Sequence, residues 1–151
     1  MEKIFDVIYH TRKNFLTLVD SLSVDRLNTI PANFNNNIIW NLAHIISSQQ
    51  ALTYGKAGLK YTISEEFVKA YGKNTKPENQ INTPEIEKIK IISLQSLYQL
   101  REDYYHNTFK QYTAYKTSFN VEITSIEEAI KFMVAHEALH LGYAMALKRL
   151  V

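Results

Sequence analysis

Cysteine is absent from the 151 residues. This excludes disulfides, thiolate nucleophiles, iron–sulfur clusters and cysteine-type zinc sites, so a metal ion in this chain would have to rest on His, Asp or Glu. Proline and glycine are scarce, at 3 and 4 residues, and 46% of the chain is apolar, a composition that describes one compact domain spanning residues 1–151. Neither sign of charge dominates: 17 Lys+Arg stand against 15 Asp+Glu. The basic residues are spread from Lys3 to Arg149 without a cluster, so nucleic acid is not an expected partner. No apolar run approaches the ~20 residues that cross a bilayer. The opening MEKIFDVIYH has no apolar core or small-residue cleavage site of a secretory leader. A cytoplasmic location without membrane partners is the expectation.

Helical periodicity accounts for most of the chain. From Glu2 to Leu22, Phe5, Ile8, Phe15, Val19 and Leu22 recur on one face, with Asp6, His10, Arg12, Lys13 and Asp20 on the polar side. Residues 23–33 then read as a loop. Asn35, Asn36 and Asn37 supply N-cap chemistry for a second helix, Asn37 to about Lys56, whose first half is apolar nearly all round. Leu59 to Asn82 shows no sustained period, apart from a short helix at Glu65 to Tyr71, and reads as a long crossover or flap. Thr83 as N-cap and Pro84 open a third helix to about Phe109. It carries two apolar stripes, one through Ile86, Ile89, Ser93, Leu97, Leu100 and Tyr104, the other through Ile91, Leu94, Tyr98 and Tyr105. The second stripe either packs inside the domain or meets another subunit. Phe119, Val121 and Ile123 alternate with polar neighbours as a short extended segment would. Ser125 and Glu128 form a capping-box signature for a fourth helix, Ile126 to about Arg149. The expected fold is all-α, a four-helix bundle with a long crossover between helices two and three.

The chemistry concentrates in H-E-A-L-H, His136 to His140. At i and i+4 the two imidazoles stand one helical turn apart, ~6 Å between Cβ atoms, and can converge on one ion from a single helix. The string also fits the H-E-x-x-H helix of zinc proteases. That reading needs a further ligand downstream, and the eleven residues after His140 include no His, Asp or Glu. Among the other histidines, His10 and His106 fall on polar surfaces. His44 lies in the most apolar stretch and is the best third ligand, giving a three-histidine site with positions left for water. Three imidazoles suit several divalent metals alike. Around the site, Glu137 is a candidate for orienting a ligand or for a plain ion pair, Trp40 for a pocket wall or core, and Tyr143 for a phenolic donor.

N-N-I-I-W-N-L-A-H from Asn36 to His44, the long crossover, and H-E-A-L-H-L-G-Y from His136 to Tyr143 together resemble the DinB-like, or YfiT-like, metalloenzymes; the likeness runs the length of the chain and includes I-P-x-x-F at Ile30 to Phe34. The resemblance implies a four-helix bundle, usually dimeric, in which His44, His136 and His140 bind a divalent ion such as zinc, nickel or iron. It also implies a small-molecule chemistry in which a low-molecular-weight thiol is transferred to an electrophile or assists an isomerisation. No thiol-recognising residues can be matched. A metal-dependent hydrolase and a non-catalytic, dimerising metal protein are the alternatives.

Overall fold

A computed structural model describes residues 1–151. Its elements in chain order are α1 (Glu2–Asp20), α2 (Val24–Asn28), α3 (Ile38–Gln50) running on into a π-helical turn (Ala51–Gly55), α4 (Glu65–Ala70), α5 (Thr83–Tyr105), β1 (Tyr115–Lys116), β2 (Glu122–Ile123) and α6 (Ile126–Leu147). The fold is therefore mostly helical, with one small antiparallel strand pair in which Tyr115 faces Ile123 and Lys116 faces Glu122.

Local chemistry sets the helix starts. Asn37 accepts from Trp40 N–H at 2.9 Å, Ser64 from Phe67 N–H at 3.2 Å and Ser125 from Glu128 N–H at 3.2 Å. The cap of α5 is Asn82, not Thr83. Asn82 accepts from Glu85 N–H while Glu85 accepts from Asn82 N–H, a reciprocal box that Thr83 could not close because Ile86 stands three residues after it. Residues 24–28, expected as loop, wind into α2 because Ser23 caps them and Leu27 buries against the core. At Ser125 only half of the expected box forms, since the Glu128 carboxylate turns to Thr124 N–H at 2.7 Å. Asn33, Asn74, Asn107 and Asn120 take left-handed backbone angles at bends, the conformation Asn tolerates best after Gly.

α1 and α3 each pack against α5 and α6. The interior is two apolar clusters. One contains Phe15, Val19, Leu42, Ile46, Ile86, Ile89, Ala144 and Leu147; the other contains Phe5, Ile8, Tyr54, Leu97, Leu100, Ile130 and Met133. In sequence terms a polar residue separates the two sets on every one of the four long helices. These are Arg12 on α1, Gln49 on α3, Ser93 and Ser96 on α5, and Glu137 on α6, all buried. Arg12, expected on the polar side of α1, is fully buried. Its Nε and Nη2 donate to the two Glu137 oxygens at 3.0 and 2.6 Å, and Nη1 donates to Ser93 carbonyl O at 2.5 Å and Ser96 Oγ at 3.3 Å. Gln49 joins the layer by donating to Ser96 carbonyl O at 2.9 Å. A charged residue survives on the inner face only because this fork is almost fully occupied.

The crossover from Lys56 to Asn82 is clasped by α3. Gln50 brackets Thr62 with two bonds of 2.9 Å, Ser47 Oγ donates to Val68 O at 2.8 Å, and His44 Nδ1 lies 2.7 Å from Tyr71 O. Asn28 of α2 holds the far end through two bonds of 2.9 Å to Ile81. Breaking the central layer has a definite expected cost: Arg12→Leu, which strands the Glu137 carboxylate, should destabilise by about 3 to 5 kcal/mol. The double replacement Arg12→Leu with Glu137→Leu should recover most of that loss in urea unfolding. A double variant as unstable as the single one would show that the charge pair itself is not the issue.

Candidate metal centre

α3 and α6 pack side by side, and their seam brings His44, His136 and His140 together. One ring nitrogen from each lies within 4.8 Å of the other two. Ring centroids are 5.4 Å apart for His44 and His136, 4.7 Å for His44 and His140, and 4.6 Å for His136 and His140. His10 and His106 are exposed. His106 folds back on its own helix, 2.8 Å from Glu102 O.

Hydrogen bonds decide which nitrogens are free. A carbonyl oxygen can only accept, so Tyr71 O fixes the proton of His44 on Nδ1 and leaves Nε2 with its lone pair. Ser48 Oγ sits 3.2 Å from that Nε2 and is its donor. The His140 Nδ1 is 2.8 Å from Asn41 Oδ1. The orientation of that amide is set independently, because Asn41 Nδ2 donates to Asn37 O at 2.8 Å and Asn36 Oδ1 at 3.1 Å. His140 Nδ1 is thus the protonated nitrogen, and its Nε2 has no hydrogen-bond partner. His136 lies beside Phe132, with centroids 6.0 Å apart.

Burial makes all three rings resist protonation. It lowers His44, and it lowers His136 to about 4 and His140 to about 3, with the neighbouring imidazoles adding to the effect in the last two. Neutral nitrogens at this spacing suit a divalent ion, which would take up the unpartnered lone pair of His140 and replace the Ser48 hydroxyl on that of His44.

Of the surrounding candidates, Trp40 is buried and stacks on His44 with centroids 4.6 Å apart and planes 12° from parallel. Glu137 is occupied by Arg12; burial pushes its carboxyl up and the guanidinium opposes that shift. Tyr143 is half-buried with its ring against Phe34, centroids 5.8 Å apart, and desolvation raises its phenol. Sequence reasoning missed Asn41 and the Tyr71 carbonyl. The first had a signal: an amide on a nearly all-apolar helix, one turn before His44, needs a buried partner. The second had none, because a backbone atom in an irregular segment leaves no trace in residue type.

A mostly helical chain with three converging imidazoles is the class of protein that geometry defines. The comparisons place it further: residues 8–144 match the model of the DinB superfamily, and the chain belongs to that superfamily, whose members bind metal. Among solved structures it is similar to a conserved protein from Enterococcus faecalis, with a TM-score of 0.69 and 13% identity, covering 99% of this chain and 95% of that one. That likeness is one of fold. A search of curated proteins finds no match.

The depressed imidazoles carry a pH signature. Once the metal-free chain unfolds, its histidines return to about their ordinary 6.5, so between that value and about 4 the unfolded state binds more protons and folding stability falls as pH falls. The urea midpoint of chelator-treated protein should drop from pH 7 to pH 4.5, and drop less in His136→Leu. Equal drops in the two proteins would contradict a buried neutral His136.

Proposed function

We propose that this chain is a divalent-metal-dependent enzyme in which His44, His136 and His140 hold zinc, nickel or iron, and that it transfers a low-molecular-weight thiol to a small electrophilic substrate. The observation that carries the metal is the convergence of three neutral imidazoles, two of them protonated at Nδ1 so that Nε2 carries the lone pair, on His44 towards the Ser48 hydroxyl and on His140 without a partner. When bound, such an ion lowers the pKa of a thiol or water in its remaining positions towards neutrality. Glu137 does not compete for it, being held in both carboxylate oxygens by Arg12. The thiol is the reading favoured by family likeness, and since the chain has no cysteine the thiol is a cosubstrate. Its sulfur bonds to the electrophilic carbon, the leaving group departs with its electron pair, and the thiol proton passes to solvent. In this reading residues 1–151 form a single cytoplasmic domain, a four-helix bundle of α1, α3, α5 and α6, acting on small molecules without nucleic acid or membrane. No helix is long and apolar enough to cross a membrane.

Trp40 is the one tryptophan of the chain and stacks on a proposed ligand, so its fluorescence reports on the site directly. Titration of chelator-treated, tag-free protein with Ni2+ should quench it with saturation at one equivalent, and His44→Ala or His140→Ala should abolish that response. The loaded protein should consume a thiol with an electrophile, and chelation should stop it. Quenching without saturation sinks the metal centre. Hydrolysis of an ester or amide without thiol uptake would make water the nucleophile and the protein a hydrolase.

The chain is further proposed to pair with a second copy. Three members of the second apolar stripe of α5, Ile91, Tyr98 and Tyr105, are exposed, while Leu94 is half-buried and packs against the core. Light scattering should give a dimer, and Ile91→Lys with Tyr98→Lys should give a monomer. A wild-type monomer at micromolar concentration would remove the proposal.

A further inference from the structure

We infer that Asn41 is a positioning residue for the metal centre, one that fixes the tautomer and direction of His140 before any ion arrives. The inference rests on the three-histidine reading and concerns a residue outside that set. Asn41 is fully buried on α3 and has all its polar capacity directed. Its Nδ2 donates twice, to Asn37 O at 2.8 Å and Asn36 Oδ1 at 3.1 Å, so its Oδ1 is the only end that can face α6. There it meets His140 Nδ1 at 2.8 Å. A neutral imidazole has one proton to place. Holding it at Nδ1 leaves the Nε2 lone pair without a partner, on a ring whose centroid lies 4.7 Å from that of His44 and 4.6 Å from that of His136 and which offers one nitrogen to the three-histidine group. The amide does for His140 what the Tyr71 carbonyl does for His44.

The arrangement ties the metal centre to the start of α3. Asn37 caps the helix through Trp40 N–H, and its carbonyl anchors Asn41 one turn later. One donor residue, His140, is thus pre-aimed from the first turn of α3 and another, His44, from the crossover, and the cost of ordering His140 is met on folding, not on binding.

The test separates the His140 contact from the other bonds of the amide. Asn41→Leu loses everything; Asn41→Asp loses the two Nδ2 donations but keeps an oxygen for His140. Both should lower the thermal midpoint of metal-free protein by similar amounts. Zn2+ affinity, measured by competition with a chromophoric chelator, should fall about 10- to 100-fold in Asn41→Leu and stay close to wild type in Asn41→Asp. A second measurement needs no variant and no metal: long-range 15N correlation spectra of metal-free wild type should show His140 protonated at Nδ1. An Nε2-protonated His140, a Leu variant that binds as tightly as wild type, or an Asp variant as weak as the Leu variant overturns the inference. If wild type shows the Nδ1 proton but takes up no Zn2+, the metal centre itself falls and the role assigned to Asn41 falls with it.

Discussion

The whole arrangement depends on one buried ion pair. Arg12 and Glu137 lie 125 residues apart and meet in a layer that also takes in Ser93, Ser96 and Gln49, one or more groups from each long helix. Removing two charges from water is costly, and the pair's attraction offsets that cost only while the geometry holds. A slip of α6 by one residue would set Ala138 or His136 opposite the guanidinium and leave a bare cation in the interior. The pair therefore selects one rotation of α6. At ~100° per residue, His140 follows Glu137 at ~60° around that helix and His136 at ~100°, which turns both imidazoles from the central layer to the seam with α3. The same ion pair occupies both carboxylate oxygens of Glu137, the neighbour of His136 in the chain.

α3 answers from the other side with polar residues placed in a helix that is otherwise core. His44, Ser47 and Gln50 form a stripe that clasps the crossover backbone, while Asn41 reaches α6. The long connection is thus part of the centre's support, since its Tyr71 carbonyl holds His44. Trp40 closes the stack on the His44 ring, leaving that imidazole little freedom to turn. Ligand direction comes from packing and hydrogen bonds already made by the fold.

How much of this could be read from residues alone follows from the range of the interactions. Helix positions and most caps were legible because they are local: Asn37 and Ser125 act within four residues of themselves. His136 and His140 were legible because two imidazoles one turn apart on an apolar helix face have few other uses, and His44 because it lies in the most apolar stretch of the chain; the structure brings those three together. Arg12 was misjudged as surface because a lone cation beside Lys13 looks like every solvated helix face, and only its distant partner makes the interior tolerable. The apolar first half of α3 hid how its polar residues divide the work. The exposed stripe of α5 lay open to two readings, and burial shows that the domain itself does not cover Ile91, Tyr98 or Tyr105.

The charge balance of the proposed centre bears on what it would activate. Three neutral imidazoles contribute no charge, and Glu137 is already neutralised by Arg12, so a divalent ion held there keeps its full two-plus charge in a partly buried seam. In such surroundings an anion is favoured in the open positions far more than in water, because the low local polarity leaves the ion's field weakly screened. A carboxylate ligand would have spent part of that field on the protein. The donor set therefore favours generating an anionic nucleophile from a neutral precursor, and a thiol, with an ordinary pKa near 8.5, needs a smaller shift to ionise than water does.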